Sequence, residues 1–264
     1  LKLQVMISPL AYVDKEAKIG ENVTVHPFAY IEKNVEIGDN CTIMPYASIL
    51  SGTRMGKDNT VYHGAIVGAT PQDFKFKGED TLLLIGDGNT IREKVIINRG
   101  TDTTDSTIVG NGNYLLEGVH LAHDTHVGNY CVFGNGAKTA GNCVIDDWAI
   151  LGSEVILKHG CRVGSWSLVK DGGRAGKDVP PFIVAAHNPI AYYGINAVIM
   201  TKEGHFQEGV LDDIAKAYRQ IYQCGTSLEN AIRRIREIIP EGPEIHYMLD
   251  FIESSRRGII GTSL

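Results

Sequence analysis

Long apolar runs are missing from this chain. No stretch approaches the roughly 20 consecutive apolar residues that a membrane-spanning helix needs. Basic charge is also in short supply: 25 Lys and Arg stand against 31 Asp and Glu, a formal net charge of −6. That balance argues against a nucleic-acid binder. Cysteines number five, and no two are spaced Cys-x-x-Cys, so no zinc or redox motif is present. A secretory signal is not evident either: Leu1-Lys2-Leu3-Gln4-Val5 is too short and too weakly charged, and reads as residues ahead of a start at Met6. These absences predict a soluble, cytoplasmic protein without an integral membrane segment. A length of 264 residues is enough for one or two domains.

What the chain does have is a period. Every sixth residue from Ile7 through Val67 is apolar: Ile7, Val13, Ile19, Val25, Ile31, Ile37, Ile43, Ile49, Met55, Val61 and Val67. The following position is often Gly, as at Gly20, Gly38, Gly56 and Gly68. Four residues after each apolar position comes a mostly small side chain, such as Ala11, Ala17, Ala29 and Ala47. Helical periods of 3.5 or 3.6 do not fit a strict six. A hexapeptide repeat is the signature of a parallel β-helix, in which each hexad supplies one short strand and one corner. Cys41, Cys131, Cys143 and Cys161 all fall on the small fifth position and read as buried corner residues.

The repeat resumes in phase at Ile85, Ile91 and Ile97 and again at Val109. Of the twelve register positions from Val109 to Ala175, ten are Val, Leu, Ile or Phe; Thr139 and Ala175 are the exceptions. The breaks, at about 69–84 and 101–108, read as loops thrown out from the prism, where binding residues concentrate. The first carries Asp73, Lys75 and Lys77, which suits a sugar nucleotide or phosphate and equally an ordinary solvated loop. Tyr62 and His63 read as wall decoration or as a substrate contact.

Three hexads per coil stack residues 18 apart at about 4.8 Å, the ordinary strand spacing. Gly141 then lies one coil above His123 and His159 one above Gly141, with Asn142 above Asp124 and Lys138 above His120. His120, His123 and His126 are spaced by three, but His123 is third in its hexad and the others sixth. They do not point one way, which disfavours a three-histidine metal site on one chain.

The repeat fades after Val169, and Asp178-Val179-Pro180-Pro181 ends the regular strands, because Pro cannot donate to a ladder. Ile183–Ala186 suits one last strand. The spacing then becomes helical: about 206–224, carrying Cys224 and stopped by Gly225; a helix to about Ile239, opened by a Thr226/Glu229 capping box; and a third begun by Pro243. The division expected is a β-helix over 6–189 and an α-helical domain over 190–264, the latter covering an edge that would otherwise invite aggregation.

The hexad register, Gln72-Asp73-x-Lys75, Ile97-x-Arg99-Gly100, His120-Leu121-Ala122-His123-Asp124, Ala140-Gly141, Asp178-Val179-Pro180-Pro181, Gly194-Ile195-Asn196 and the helical tail together resemble the UDP-N-acetylglucosamine O-acyltransferases that open lipid A biosynthesis. The resemblance covers nearly the whole chain. It implies a left-handed parallel β-helix, a homotrimer, and transfer of a 3-hydroxyacyl group from acyl carrier protein to the 3-hydroxyl of UDP-N-acetylglucosamine. It implies His123 as general base, Asp124 as its orienting partner and the Gly141 N–H as oxyanion donor, which the stacking also suits. By the same resemblance His120 contacts the acceptor or the acyl hydroxyl. Gln72, Asp73, Lys75 and His159 line the substrate site, with the Asp73 loop acting across a subunit boundary. Asn196 and Lys202 meet the nucleotide or the donor's phosphopantetheine, and Lys170, Asp171, Gly172 and Gly173 bear on acyl length. No metal and no further cofactor is implied. The chain departs from the common pattern at Asn98 and Asn142, where the family often has His, at His159, where it often has Gln, and at Val198, Lys202 and Glu203.

Two other readings are carried. A later N-acyltransferase of the same pathway shares the solenoid but usually has an extra uridine-binding domain, for which the hexads from Ile7 leave no room. A zinc-dependent protein of the γ-carbonic-anhydrase type predicts convergence of His63, His120 and His126 between subunits. Arg219, Arg233, Arg234 and Arg236 suit an acidic carrier protein, or simply a solvated helix face.

Overall fold

A computed structural model describes residues 6–262. Residues 1–5, read above as preceding the start, and the last two residues lie outside it. The hexads form a left-handed parallel β-helix with three flat faces of 11, 9 and 8 strands, here called A, B and C. The chain runs A, B, C in every coil: Met6–Ile7 on A, Tyr12–Val13 on B, Lys18–Ile19 on C, then Thr24–Val25 back on A. Most strands are two residues long. Such short strands accumulate almost no twist, so the right-handed crossover rule, which acts through twisted strands, has little hold here.

Each apolar register residue points inward. Ile31, Ile43, Ile49, Val61, Leu115, Leu121, Leu151 and Leu157 are completely or almost completely buried in one continuous column. Cys41, Cys131, Cys143 and Cys161 are buried at their corners, as expected. The fourth position of the hexad takes a left-handed backbone: φ is 56° at Asn22, 58° at Asn40, 59° at Asp58 and 56° at Asp124. Asn, Asp and Gly tolerate this region. Where bulky residues stand there instead, they stack: Tyr130, Trp148 and Trp166 form a ladder with ring centroids 4.7 Å apart along the C–A corner.

The two interruptions are shorter than expected. Ala69 ends a face B strand, Leu82–Ile85 pairs on face C with Thr53–Met55 and Ser106–Val109, and the latter strand also occupies residues assigned to the second loop. Apolar Leu82, Leu84 and Ile108 extend the ladder before the register position is reached, leaving 70–81 and 99–105 as the excursions. Strand partners are 18 residues apart in most coils, but Val61 and Ile91 are 30 apart and Ile91 and Leu115 are 24 apart. The insertions add 12 and 6 residues, both multiples of the hexad, which is why the phase survives them.

Face A continues past residue 189. Ile183–Ala186 is the expected last parallel strand, and Ala191–Ile195 adds an antiparallel one that the repeat did not announce. Four helices follow: α1 (Ala197–Lys202), α2 (Glu208–Tyr222), α3 (Leu228–Ile238) and α4 (Pro243–Glu253). Helix α2 ends before Cys224, which is exposed. The cap of α3 is Ser227, whose hydroxyl accepts the Asn230 N–H at 3.3 Å, one residue later than the Thr226 box expected. Tyr218, fully buried in α2, donates to the Pro181 carbonyl at 2.6 Å, and Tyr247 of α4 donates to Asp146 at 2.6 Å. The helices thus clasp the top of the prism.

Candidate active site

Both excursions and the His123-Asp124 pair leave the prism at one corner, between faces B and C. His123 and Asp124 are 7% and 8% exposed. The left-handed turn at Asp124 curls its carboxylate back onto the preceding ring, and His123 Nδ1 lies 2.7 Å from Asp124 Oδ2. Burial raises the Asp124 carboxyl, but hydrogen bonds from the Thr101 hydroxyl, His123 and the Thr101 N–H outweigh it and hold the group below the ordinary range. An ionised Asp124 makes His123 Nδ1 the donor, which leaves a lone pair on Nε2.

Behind this corner lies a small polar cluster. Thr107 Oγ accepts the Asp124 N–H at 2.8 Å, and Thr139 Oγ accepts the Ala122 N–H at 3.0 Å. The one polar break in the later register, Thr139, therefore fixes the backbone just ahead of His123.

One coil up, Asn142 donates its N–H to the His123 carbonyl at 3.0 Å, which establishes the expected stacking. Gly141 has φ 86° beside Asn142 at 51°, a consecutive left-handed pair that no other corner among the described residues has. A Cβ at Gly141 would stand 2.9 Å from His123 Cε1 and 3.0 Å from Nε2. Among the described residues the Gly141 N–H has no hydrogen-bond acceptor. Gly160 donates to the Gly141 carbonyl at 3.0 Å, and exposed His159 continues the column.

A cavity of about 370 Å³ opens beside the pair, lined by Gln72, His120, Ala122, His123, Lys138, Thr139, Ala140 and Ile156. Lys138 sits directly above His120, as the period requires. Asn98, fully buried, donates Nδ2 to the Thr70 carbonyl at 2.7 Å, so the atom facing His120 is its acceptor Oδ1, 2.8 Å from His120 Nε2. His120 therefore carries its proton on Nε2 when neutral. Burial, then the charges of Lys138 and His123, push the His120 pKa down.

The same Asn98 bond ties the first excursion to face B. Asp73 Oδ2 comes to 3.9 Å from His123 Nε2 of its own chain. The Lys75 N–H donates to Asp73 Oδ1 at 2.7 Å, while the Lys75 residue and Phe74 are exposed. His126 turns to face C, with Nε2 3.0 Å from the Ser106 carbonyl. His63 lies on the A–B corner. Among the described residues no three His, Cys, Asp or Glu side chains are grouped to hold a metal.

Three groups of expected site residues lie elsewhere in the single chain. Asn196 is buried and donates to the Trp166 carbonyl at the C–A corner. Lys202 ends α1 in solvent. Lys170, Asp171, Gly172 and Gly173 form an A–B corner, where Asp171 accepts the Ser153 N–H and Lys170 Nζ lies 4.5 Å from the Tyr193 ring centre. Face B separates that corner from His123. The residues missed by sequence reasoning are Asn98, Thr101, Thr107 and Thr139. Thr139 left a signal as a break in the apolar register and Asn98 as a departure from the family pattern, whereas Thr101 and Thr107 left none.

Comparison with known proteins adds the following. Residues 178–260 match the family described as UDP N-acetylglucosamine O-acyltransferase, domain 2, and residues 16–49, 34–69 and 106–141 match bacterial transferase hexapeptide repeats. The chain is 43% identical over 255 residues to the acyl-[acyl-carrier-protein]–UDP-N-acetylglucosamine O-acyltransferase of Ectopseudomonas mendocina, covering 96% of this chain and 98% of that protein. A solved UDP-N-acetylglucosamine acyltransferase from Bacteroides fragilis is 50% identical with a TM-score of 0.94, over 97% of this chain and 100% of that one. The enzyme from Francisella novicida is 35% identical with a TM-score of 0.93, over 97% and 94%. No helix of the structure is long and apolar enough to cross a membrane.

Proposed function

The chain belongs to the UDP-N-acetylglucosamine O-acyltransferases, and we propose that it works through His123 as general base at the B–C corner. It is an acyltransferase that takes its acyl group from acyl carrier protein and delivers it to UDP-N-acetylglucosamine. The group is a 3-hydroxyacyl chain, the acceptor is the sugar 3-hydroxyl, and the product enters lipid A biosynthesis in the cytoplasm.

The observation that carries the mechanism is His123 held between Asp124 at 2.7 Å and the Gly141 backbone. The sugar hydroxyl loses its proton to Nε2 as its oxygen attacks the thioester carbonyl carbon. The carbonyl oxygen becomes an oxyanion, to which the Gly141 N–H donates a hydrogen bond. Collapse breaks the carbon–sulfur bond, and the phosphopantetheine thiolate leaves with the proton from the imidazolium. Asp124 stabilises that imidazolium without taking its proton. No metal or further cofactor enters these steps.

His120 offers its neutral ring to the acceptor or the acyl hydroxyl, and Gln72, Asp73, Lys75 and His159 frame the sugar nucleotide. The acyl tail runs along face B toward Lys170–Gly173, which sets its length. Asn196 and Lys202, remote from His123 in one chain, and the exposed Phe74 support a homotrimer in which a neighbouring copy completes the nucleotide and donor site. The engagement of His120 with Asn98 and of His126 with Ser106 speaks against a zinc hydratase.

Acyl transfer assayed with 3-hydroxyacyl carrier proteins of increasing length is expected to peak at one length and to be lost in His123→Ala. Full activity in that variant would sink the base assignment.

A further inference from the structure

Thr101 lies in the second excursion, at a position to which neither the repeat nor the family resemblance gives a role. We propose that Thr101 is a positioning residue: it locks the Asp124 carboxylate against His123 Nδ1, which makes the second excursion part of the acid–base machinery. The inference rests on His123 being the base.

The geometry is specific to this residue. The Thr101 hydroxyl donates to Asp124 Oδ2 at 2.6 Å, and the Thr101 N–H donates to Oδ1 at 2.8 Å. His123 Nδ1 uses the same Oδ2, at 2.7 Å. A carboxylate with a single partner can swing about its terminal torsion, which is broad and roughly two-fold. With donors on both oxygens it cannot turn without breaking two further bonds. The close approach needs the residue before Thr101 to be small, since a Cβ at Gly100 would stand 3.2 Å from Asp124 Oδ1. Thr107 fixes the other side by accepting the Asp124 N–H.

Chemistry follows from the direction of the bonds. A carboxylate accepting three hydrogen bonds is a weaker base than one accepting only from the imidazole. When a proton arrives at Nε2, Asp124 therefore leaves the Nδ1 proton in place, and the positive charge stays on the ring, where the leaving thiolate collects its proton. The other charged and titratable groups around the pair are Asp73 at 3.9 Å, His120 and Lys138 on face B, and Asp102 in the same excursion. A substitution at Thr101 leaves all four in place.

The test is a double-mutant cycle on the intact enzyme, with kcat, KM for UDP-N-acetylglucosamine and the pH–rate profile measured for Thr101→Val, Asp124→Asn and the pair. The expected result is a kcat about tenfold or more lower in Thr101→Val, the loss of one charge-assisted hydrogen bond, with KM within about twofold. Thr101→Ser should restore kcat to within about threefold of wild type. Within the Asp124→Asn background, Thr101→Val should add less than about twofold. An unchanged kcat and pH profile in Thr101→Val would overturn the inference, as would fully multiplicative losses in the pair or a Thr101→Ser variant as impaired as Thr101→Val. If Thr101→Val does not fold, Thr101→Ala in the same cycle decides by the same criteria. A wild-type rate in Thr101→Val beside an inactive His123→Ala removes Thr101 alone and leaves the base assignment standing.

Discussion

Gly141 stands directly over the His123 ring: a Cβ at position 141 would come within 2.9 Å of Cε1 and 3.0 Å of Nε2. Position 141 also needs φ of 86°, a region open to Gly. Gly141→Ala therefore strains the backbone and displaces the ring together. It should cost about 1–3 kcal/mol of stability and lower kcat by roughly 100-fold or more, read from chemical denaturation and steady-state rates.

His123→Ala removes the proposed proton acceptor and should lower kcat by about 10²–10⁴-fold. Asp124→Asn keeps the shape, but its amide can face Nδ1 with a donor and favour the wrong tautomer. Its kcat should fall to a similar degree, with KM for the sugar nucleotide little changed. Parallel rates for wild type and Asp124→Asn across pH would show that Asp124 does not orient the ring.

Acidification should destabilise the fold in two steps. The His120 pKa lies below its ordinary value because burial, Lys138 and His123 disfavour the charged ring. Its contribution is therefore complete above about pH 6.5, the unfolded value, and is lost as pH falls toward the folded pKa. Asp124, also lowered, holds its contribution above about pH 3.9 and loses it below. His120→Gln should flatten the first step and leave the second, measured as Tm against pH.

Thiol chemistry should distinguish one cysteine from four. Cys41, Cys131, Cys143 and Cys161 are buried, and burial pushes Cys131 up to about 12 and Cys143 up to about 11. Cys224 is exposed. Alkylation near pH 8 followed by mass spectrometry should give one adduct in native protein, on Cys224, and five after unfolding.

Tyr247 joins α4 to the prism by donating to Asp146 at 2.6 Å while accepting the Ser165 N–H at 2.9 Å. Burial already raises the Asp146 carboxyl. Tyr247→Phe should cost about 1–3 kcal/mol and leave kcat within about twofold, since Asp146 lies on face C away from the His123 cavity.

The period of six determined a great deal by itself. A side chain that recurs every sixth residue can be buried continuously only if each hexad makes one strand and one corner, so the prism, its core and the stacking of Gly141 over His123 all follow from counting. The phase also survived the excursions, because insertions of 12 and 6 residues return the chain to the same wall. Counting could not show which long-range partners surround the stacked column. Asn98 reaches His120 across 22 positions and Thr101 reaches Asp124 across 23, and both bonds depend on where non-repeating loops leave and rejoin the corner. The Ser227 cap and the antiparallel strand Ala191–Ile195 belong to the same class, because local pattern competes there with packing against the closed end of the prism. The repeat fixed which residues share a column. The tertiary structure decided which donors and acceptors meet across it, because hydrogen-bond partners depend on ångström-scale placement that a hydrophobic period does not encode.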